Sequence, residues 1–161
     1  MKNILMLALT FLSAATFAKT YSYEHGIVFG EYPNAEACKA DGYQWDGDES
    51  GLCIAPGEDT VTLKKLKSSY KVTVETISVN AHQCSFEATN GKRQGTSKIV
   101  SSLPSKFYDE RGNTIDTTCE VTVIFNPDKS VTVKTNGYNE CSEFCGINAF
   151  LDIDKAVIKK K

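Results

Sequence analysis

The sequence predicts a mainly β protein, a small antiparallel β-barrel or sandwich with a disulfide-stapled N-terminal appendage that contains one short helix. Three observations lead there. From Tyr70 onward, apolar and polar residues alternate in short runs separated by turn formers, the period of half-buried strands. The 161-residue chain carries six cysteines, an even number that in an exported protein favours disulfides over free thiols or metal. A composition change at Pro56-Gly57 sets a shorter, turn-rich segment apart from the alternating runs.

The opening residues read as an export signal. Met1 and Lys2 form a short basic start, Ile4 to Phe11 are nearly all apolar, and Thr16-Phe17-Ala18 ends in a small residue, so cleavage is expected after Ala18. An apolar core of about ten residues is too short to span a bilayer. No cysteine lies at or just after the expected cleavage point to take a lipid anchor. The expectation is a soluble chain, periplasmic or secreted, with 1–18 as signal, 19–60 as appendage and 61–161 as an antiparallel β-domain that folds by itself. Loss of Lys2 moves the formal charge from −2 to −3. This mild, mixed acidity argues against a general nucleic-acid binder, which needs clustered cations to displace counterions. The basic run Lys64, Lys65, Lys67 and Lys71 reads as a solvated edge or turn.

Residues Tyr21 to Tyr32 are aromatic and β-branched and should be extended until Pro33-Asn34. Asn34 is a good helix N-cap, Ala35 to Ala40 are mostly helix formers with an acid in the first turn, and Gly42 suits the left-handed position after a helix. Tyr43 and Trp45 supply aromatic area beneath a loop closed by Cys38 and Cys53. Fourteen residues separate those cysteines; closing such a loop contributes about 3 kcal/mol in the chain-entropy picture. The appendage should end in a turn at Ala55-Pro56-Gly57-Glu58-Asp59.

In the β-domain, Val72 and Val74 share a face, and a bulge at Glu75-Thr76 would bring Ile77 and Val79 to the same side. Cys84, Phe86 and Ala88 alternate, Asn90-Gly91 signals a two-residue hairpin, and Lys98 to Leu103 should return as its partner. A polar loop, Asp109 to Asn113, precedes the clearest strand, with Cys119, Val121, Val123 and Phe125 inward and Glu120 and Thr122 outward. Asn126-Pro127-Asp128-Lys129 is a turn, answered by Val131 and Val133. Cys141 and Cys145 should run through Gly146 into an apolar strand, each reaching back to Cys84 or Cys119; both pairings are open.

The order Asn80-Ala81-His82-Gln83-Cys84-Ser85-Phe86-Glu87, then Cys119-Glu120-Val121-Thr122-Val123, then Cys141-x-x-x-Cys145-Gly146-x-Asn148-Ala149-x-Leu151-Asp152 resembles a group of exported bacterial proteins. Some of these occur with a lysozyme-inhibitor domain of the LprI type. The resemblance covers about half of the chain and rests on cysteines and strand residues. It implies a β fold, an extracytoplasmic compartment and an association with inhibition of cell-wall hydrolases, and it supplies no inhibitory residue. Relatives of that kind finish in a glycine-aromatic-basic strand, where this chain has Ile153-Asp154-Lys155-Ala156-Val157-Ile158.

No complete catalytic, cofactor or metal motif is present. His25 and His82 lack the i, i+4 spacing of a metal pair. Six paired cysteines leave no spare thiol nucleophile, and Cys141-x-x-x-Cys145 is one residue too long for a thioredoxin-type redox pair. Asp46-Gly47-Asp48-Glu49-Ser50-Gly51 opens like a calcium loop, but position twelve is Gly57 and Pro56 blocks the following helix. The scattered carboxylates Glu75, Glu87 and Asp109 give an enzyme no defined centre. The expected function is a protein-binding inhibitor or immunity-type protein directed at a cationic peptidoglycan hydrolase such as a lysozyme, without enzymatic activity. Asp46, Asp48 and Glu49 would carry recognition, assisted by Asp109 and Glu110 if the two loops share an end. The alternative is a small-ligand or envelope-binding barrel. A buried polar cavity would favour the latter, a packed core with protruding loops the former.

Overall fold

The computed structural model describes residues 17–45, 51–79 and 81–159. Its strands are β1 (Ala18–Glu31), β2 (Gln44–Trp45), β3 (Leu52–Lys65), β4 (Tyr70–Ile77), β5 (Gln83–Gln94), β6 (Lys98–Tyr108), β7 (Thr114–Phe125), β8 (Val131–Thr135) and β9 (Ile153–Ile158). Helix α1 (Ala35–Ala40) follows β1, and α2 (Tyr138–Cys141) runs into a 3-10 turn at Ser142–Phe144. Eight strands close an antiparallel barrel in the order β1-β9-β8-β7-β6-β5-β4-β3, with β3 returning to β1 and β2 added to its outer edge. Closure makes this a barrel rather than a sandwich, in which each wall strand has a neighbour on both sides.

The interior is a packed core. Val72 and Val74 of β4, Phe86 of β5, Val121 and Val123 of β7, and Val131 and Val133 of β8 are fully buried, as their alternation with exposed neighbours requires. Ile99, Leu151 and Ile153 complete the filling. Eight strands enclose a space just wide enough for such side chains, and each large aliphatic group removed from water contributes about 1.5–3 kcal/mol.

Several local expectations change. Strand β4 pairs with β5 without interruption from Val72 to Ile77, so no bulge forms at Glu75-Thr76. Thr76 instead keeps the inward phase and Val79 is exposed; the Thr76 hydroxyl is satisfied by the Phe150 carbonyl, to which it donates. The irregularity lies between Tyr70 and Val72. Asn90-Gly91 is not a hairpin turn: β5 continues to Gln94, and the chain reverses at Gly95, whose φ of +59° suits glycine. Gly91 serves a close approach, since a Cβ there would lie 2.8 Å from Ser101 Oγ and 2.9 Å from the Tyr70 carbonyl. The segment after Cys145 is irregular up to Asp152, and the last strand starts only at Ile153.

The turn expected at Ala55 to Asp59 is also absent, because β3 runs straight through it. Pro56, which has no amide to donate, sits between the stretch of β3 paired with β2 and the stretch paired with β4, where that edge is free. Strand β1 pairs with β9 at Tyr21 and Ser22 and with β3 from Ala18 to Val28 and again at Glu31. Residues 18–23 and 60–65 therefore belong to the barrel wall, and Tyr21 is in its core. What projects is a two-stranded ribbon, about Glu24–Glu31 against Leu52–Asp59, carrying α1 and β2. Asn34 caps α1 through Oδ1, which accepts the Ala37 amide at 2.9 Å, and the Cys38–Cys53 disulfide staples the ribbon.

Strand directions divide the loops between two rims. The β3–β4, β5–β6 and β7–β8 turns lie at one end. The ribbon, the β4–β5 loop, the β6–β7 loop and the 136–152 segment lie at the other.

Candidate functional site

The ribbon-bearing rim is organised by the 136–152 segment, which the disulfides Cys84–Cys145 and Cys119–Cys141 pin to β5 and β7. Each C-terminal cysteine thus reaches a separate strand. Phe144 meets Phe86 edge to face at 5.4 Å, and Gly146 N donates to the Gln83 carbonyl at 2.9 Å. Ala149 and Leu151 turn into the barrel, while Ile147 and Phe150 face outward. The segment is a plug with an apolar inner side and an exposed outer side. Three disulfides and no free cysteine among the described residues mark a protein of an oxidising, extracytoplasmic compartment.

Where the ribbon leaves the wall, Asp59 is buried. Its Oδ1 accepts the Ile77 amide at 2.9 Å and lies 3.2 Å from His25 Nε2. His25 stacks on Tyr23, with ring centroids 5.7 Å apart. On the next loop, the Val79 carbonyl accepts the Val28 amide at 2.9 Å. These bonds tie the ribbon to the end of β4 and to the β4–β5 loop.

Between these pieces and the plug lies an open cleft of about 380 Å³, lined by Tyr23, His25, Asp59, Val79, Phe150 and Asp152 among others. Three of its apolar side chains are well exposed: Tyr23 at 43 %, Val79 at 60 % and Phe150 at 55 %. Tyr138 extends the surface by packing on Phe150 at 5.2 Å. An exposed apolar cluster held by disulfides and backbone hydrogen bonds is suited to docking a partner with little loss of conformational freedom. A larger groove of about 690 Å³ runs beside the ribbon past Glu24, Gln44, Ile54, Glu58 and Lys159. Its charges answer one another, with Lys159 Nζ 2.7 Å from both Glu58 carboxylate oxygens; that lysine is what holds the Glu58 carboxyl below its usual range.

Asp46, Asp48 and Glu49 lie outside the described residues. Asp109 and Glu110 are in the β6–β7 loop, on the same rim as the ribbon. Asp109 organises that loop: its Oδ1 accepts the Arg111 and Asn113 amides, and its Oδ2 accepts the Asn113 side chain, which together lower its pKa. Glu75 and Glu87 are on the outer wall, accepting from Thr60 and from Thr73 and Lys71. His25 and His82 stand in different surroundings, against Asp59 and beside Gly146. Among the described residues no three His, Cys, Asp or Glu side chains converge as a metal site would require.

Sequence reasoning missed Tyr23, Val79 and Phe150, which come from three separate segments. The odd offset of Val79 after Val74 was the available signal, because a residue out of phase in an unbulged strand end faces water. Comparison with known protein families, curated proteins and solved structures finds no match.

Proposed function

We propose that the protein is a periplasmic or secreted protein-binding inhibitor or immunity-type protein, without enzymatic activity, directed at a cationic cell-wall hydrolase such as a lysozyme. The observation that carries this reading is the exposed cluster Tyr23, Val79 and Phe150 on a rim fixed by two disulfides. Apolar anchors near the centre of an interface supply most of its affinity. Asp152 beside them, and Asp109 and Glu110 on the same rim, give it acids suited to a cationic partner. Asp46, Asp48 and Glu49 add to that charge in sequence. The resemblance of the cysteine-containing segments to proteins found with lysozyme-inhibitor domains points to the same class. The filled barrel weighs against the alternative, a small ligand held inside it.

A pull-down from periplasm and from a panel of lysozymes, read by mass spectrometry, identifies the partner. The Tyr23→Ala/Phe150→Ala variant should then bind it at least tenfold more weakly, as loss of anchor residues does. An unchanged affinity in a folded variant contradicts this assignment of the site.

A further inference from the structure

The opposite rim has the reverse charge. Lys65 at the end of β3 and Lys67 in the β3–β4 turn come together with Lys92 and Arg93, which follow Gly91 in β5, and the four line an open cleft of about 440 Å³ with Ser68, Ser69 and Tyr70. The basic run in the sequence shows only half of this group, because Lys92 and Arg93 come from another hairpin. Lys65, Lys67 and Lys92 are exposed and make no ion pair among the described residues. Arg93 is held in place: its guanidinium lies 5.6 Å from the centre of the Phe125 ring and spends two of its donors on the Gly95 and Thr96 carbonyls. The nearby acids are already occupied, Glu87 by Lys71 at 2.6 Å and Asp128 by Lys155 at 2.7 Å. Lys98 at the start of β6 and Lys129 in the β7–β8 turn add further cations at this end of the barrel.

We propose that this rim docks the protein on an anionic phospholipid surface, its lysines meeting headgroup phosphates. A chain of formal charge −2 has no general attraction for anions, so a rim of unanswered cations is a local device. The three turns lie on one closed barrel end: the Phe125 amide donates to the Ser97 carbonyl at 2.8 Å, linking the end of β7 to the β5–β6 turn, and Ser69 of the β3–β4 turn donates to the Thr89 carbonyl of β5 at 2.7 Å. They present charge end-on, which matches a flat leaflet. A nucleic-acid strand would instead need a track with aromatic platforms, and the one aromatic side chain in the cleft, Tyr70, is packed against the core. Docked in this way, the barrel directs its other rim, with the exposed apolar cluster, away from the membrane.

The test is co-sedimentation of the full protein with phosphatidylcholine vesicles, with and without phosphatidylglycerol, over a salt series. Binding is expected only to the anionic vesicles and should weaken as salt rises. Each cation near such a surface is worth about fivefold in affinity. The Lys65→Gln/Lys67→Gln/Lys92→Gln variant should therefore lose about a hundredfold, while neutralising Lys39, Lys106 and Arg111 leaves binding unchanged. The substituted lysines are exposed, so the melting temperature should hold, and the salt series on the unaltered protein gives a reading that needs no variant. Equal binding to both vesicle types, or equal losses in both variants, overturns the proposal. So does tighter binding to duplex DNA than to the vesicles, or displacement by inorganic phosphate at fixed ionic strength, which would indicate a discrete phosphate site.

Discussion

His25 Nε2 lies 3.2 Å from Asp59 Oδ1, at the point where the ribbon separates from the barrel, and that same oxygen accepts the Ile77 amide. One buried carboxylate thus joins β1, β3 and the end of β4. Asp59→Ala should cost about 1–3 kcal/mol, because it leaves the Ile77 amide without its acceptor. Asp59→Asn retains an acceptor and should cost less. Urea denaturation of the two variants checks the order, and equal stability of Asp59→Ala and the parent would mean that Asp59 does not hold the junction together.

Gly91→Ala should destabilise the barrel by about 1–3 kcal/mol through overpacking, since the new methyl meets a backbone carbonyl as well as the Ser101 hydroxyl. Gly95→Ala should also be unfavourable, but through backbone conformation, because φ at Gly95 is +59° and nothing stands within 4 Å of the added methyl. Thermal melts of the double variant Gly91→Ala/Ser101→Ala give the discriminating result. Partial recovery is expected for the clash at Gly91.

Asp128 accepts hydrogen bonds from Lys155 and from the Ser130 side chain and amide, which together hold its carboxyl well below the usual value of 3.8. A depressed carboxyl pKa favours the folded state above the unfolded value, and that contribution is lost as pH falls through the folded value. Asp128→Asn should accordingly lower the melting temperature at pH 7, with the difference from the parent shrinking below about pH 4. A difference that stays constant down to pH 2 would contradict the assignment.

A chain starting near Val61 lacks β1, and with it both the wall between β9 and β3 and the core residue Tyr21. It should lose cooperative unfolding and expose two unpaired edges to aggregation. Calorimetry and light scattering on that fragment decide the matter; a sharp, reversible transition would mean that residues 61–161 form a self-sufficient unit.

What the sequence revealed follows from which interactions are local. Cys119 to Val123 alternates because one face packs into a closed barrel, and Asn34 before α1 is a capping residue whose bond spans three positions; both were legible. Gly91 was misread because a sequence displays a glycine without showing whether its small size or its positive φ is needed. Pro56 was misread because its tolerance depends on a free strand edge, which only the pairing reveals. Tyr23, Val79 and Phe150 could not be grouped beforehand, because barrel closure and the pairings Cys84–Cys145 and Cys119–Cys141 bring their segments together.

Hydrogen–deuterium exchange distinguishes a rim bearing Tyr23, Val79 and Phe150 that meets a cationic cell-wall hydrolase, as proposed, from one that does not. The protein is compared alone and with the hydrolase recovered from the lysozyme panel. Docking through that rim should slow exchange in the β4–β5 loop, in residues 146–152 and in the ribbon near Tyr23, with the β3–β4 and β5–β6 turns unchanged. Protection confined to those turns, or no hydrolase binding at any salt concentration, would contradict it.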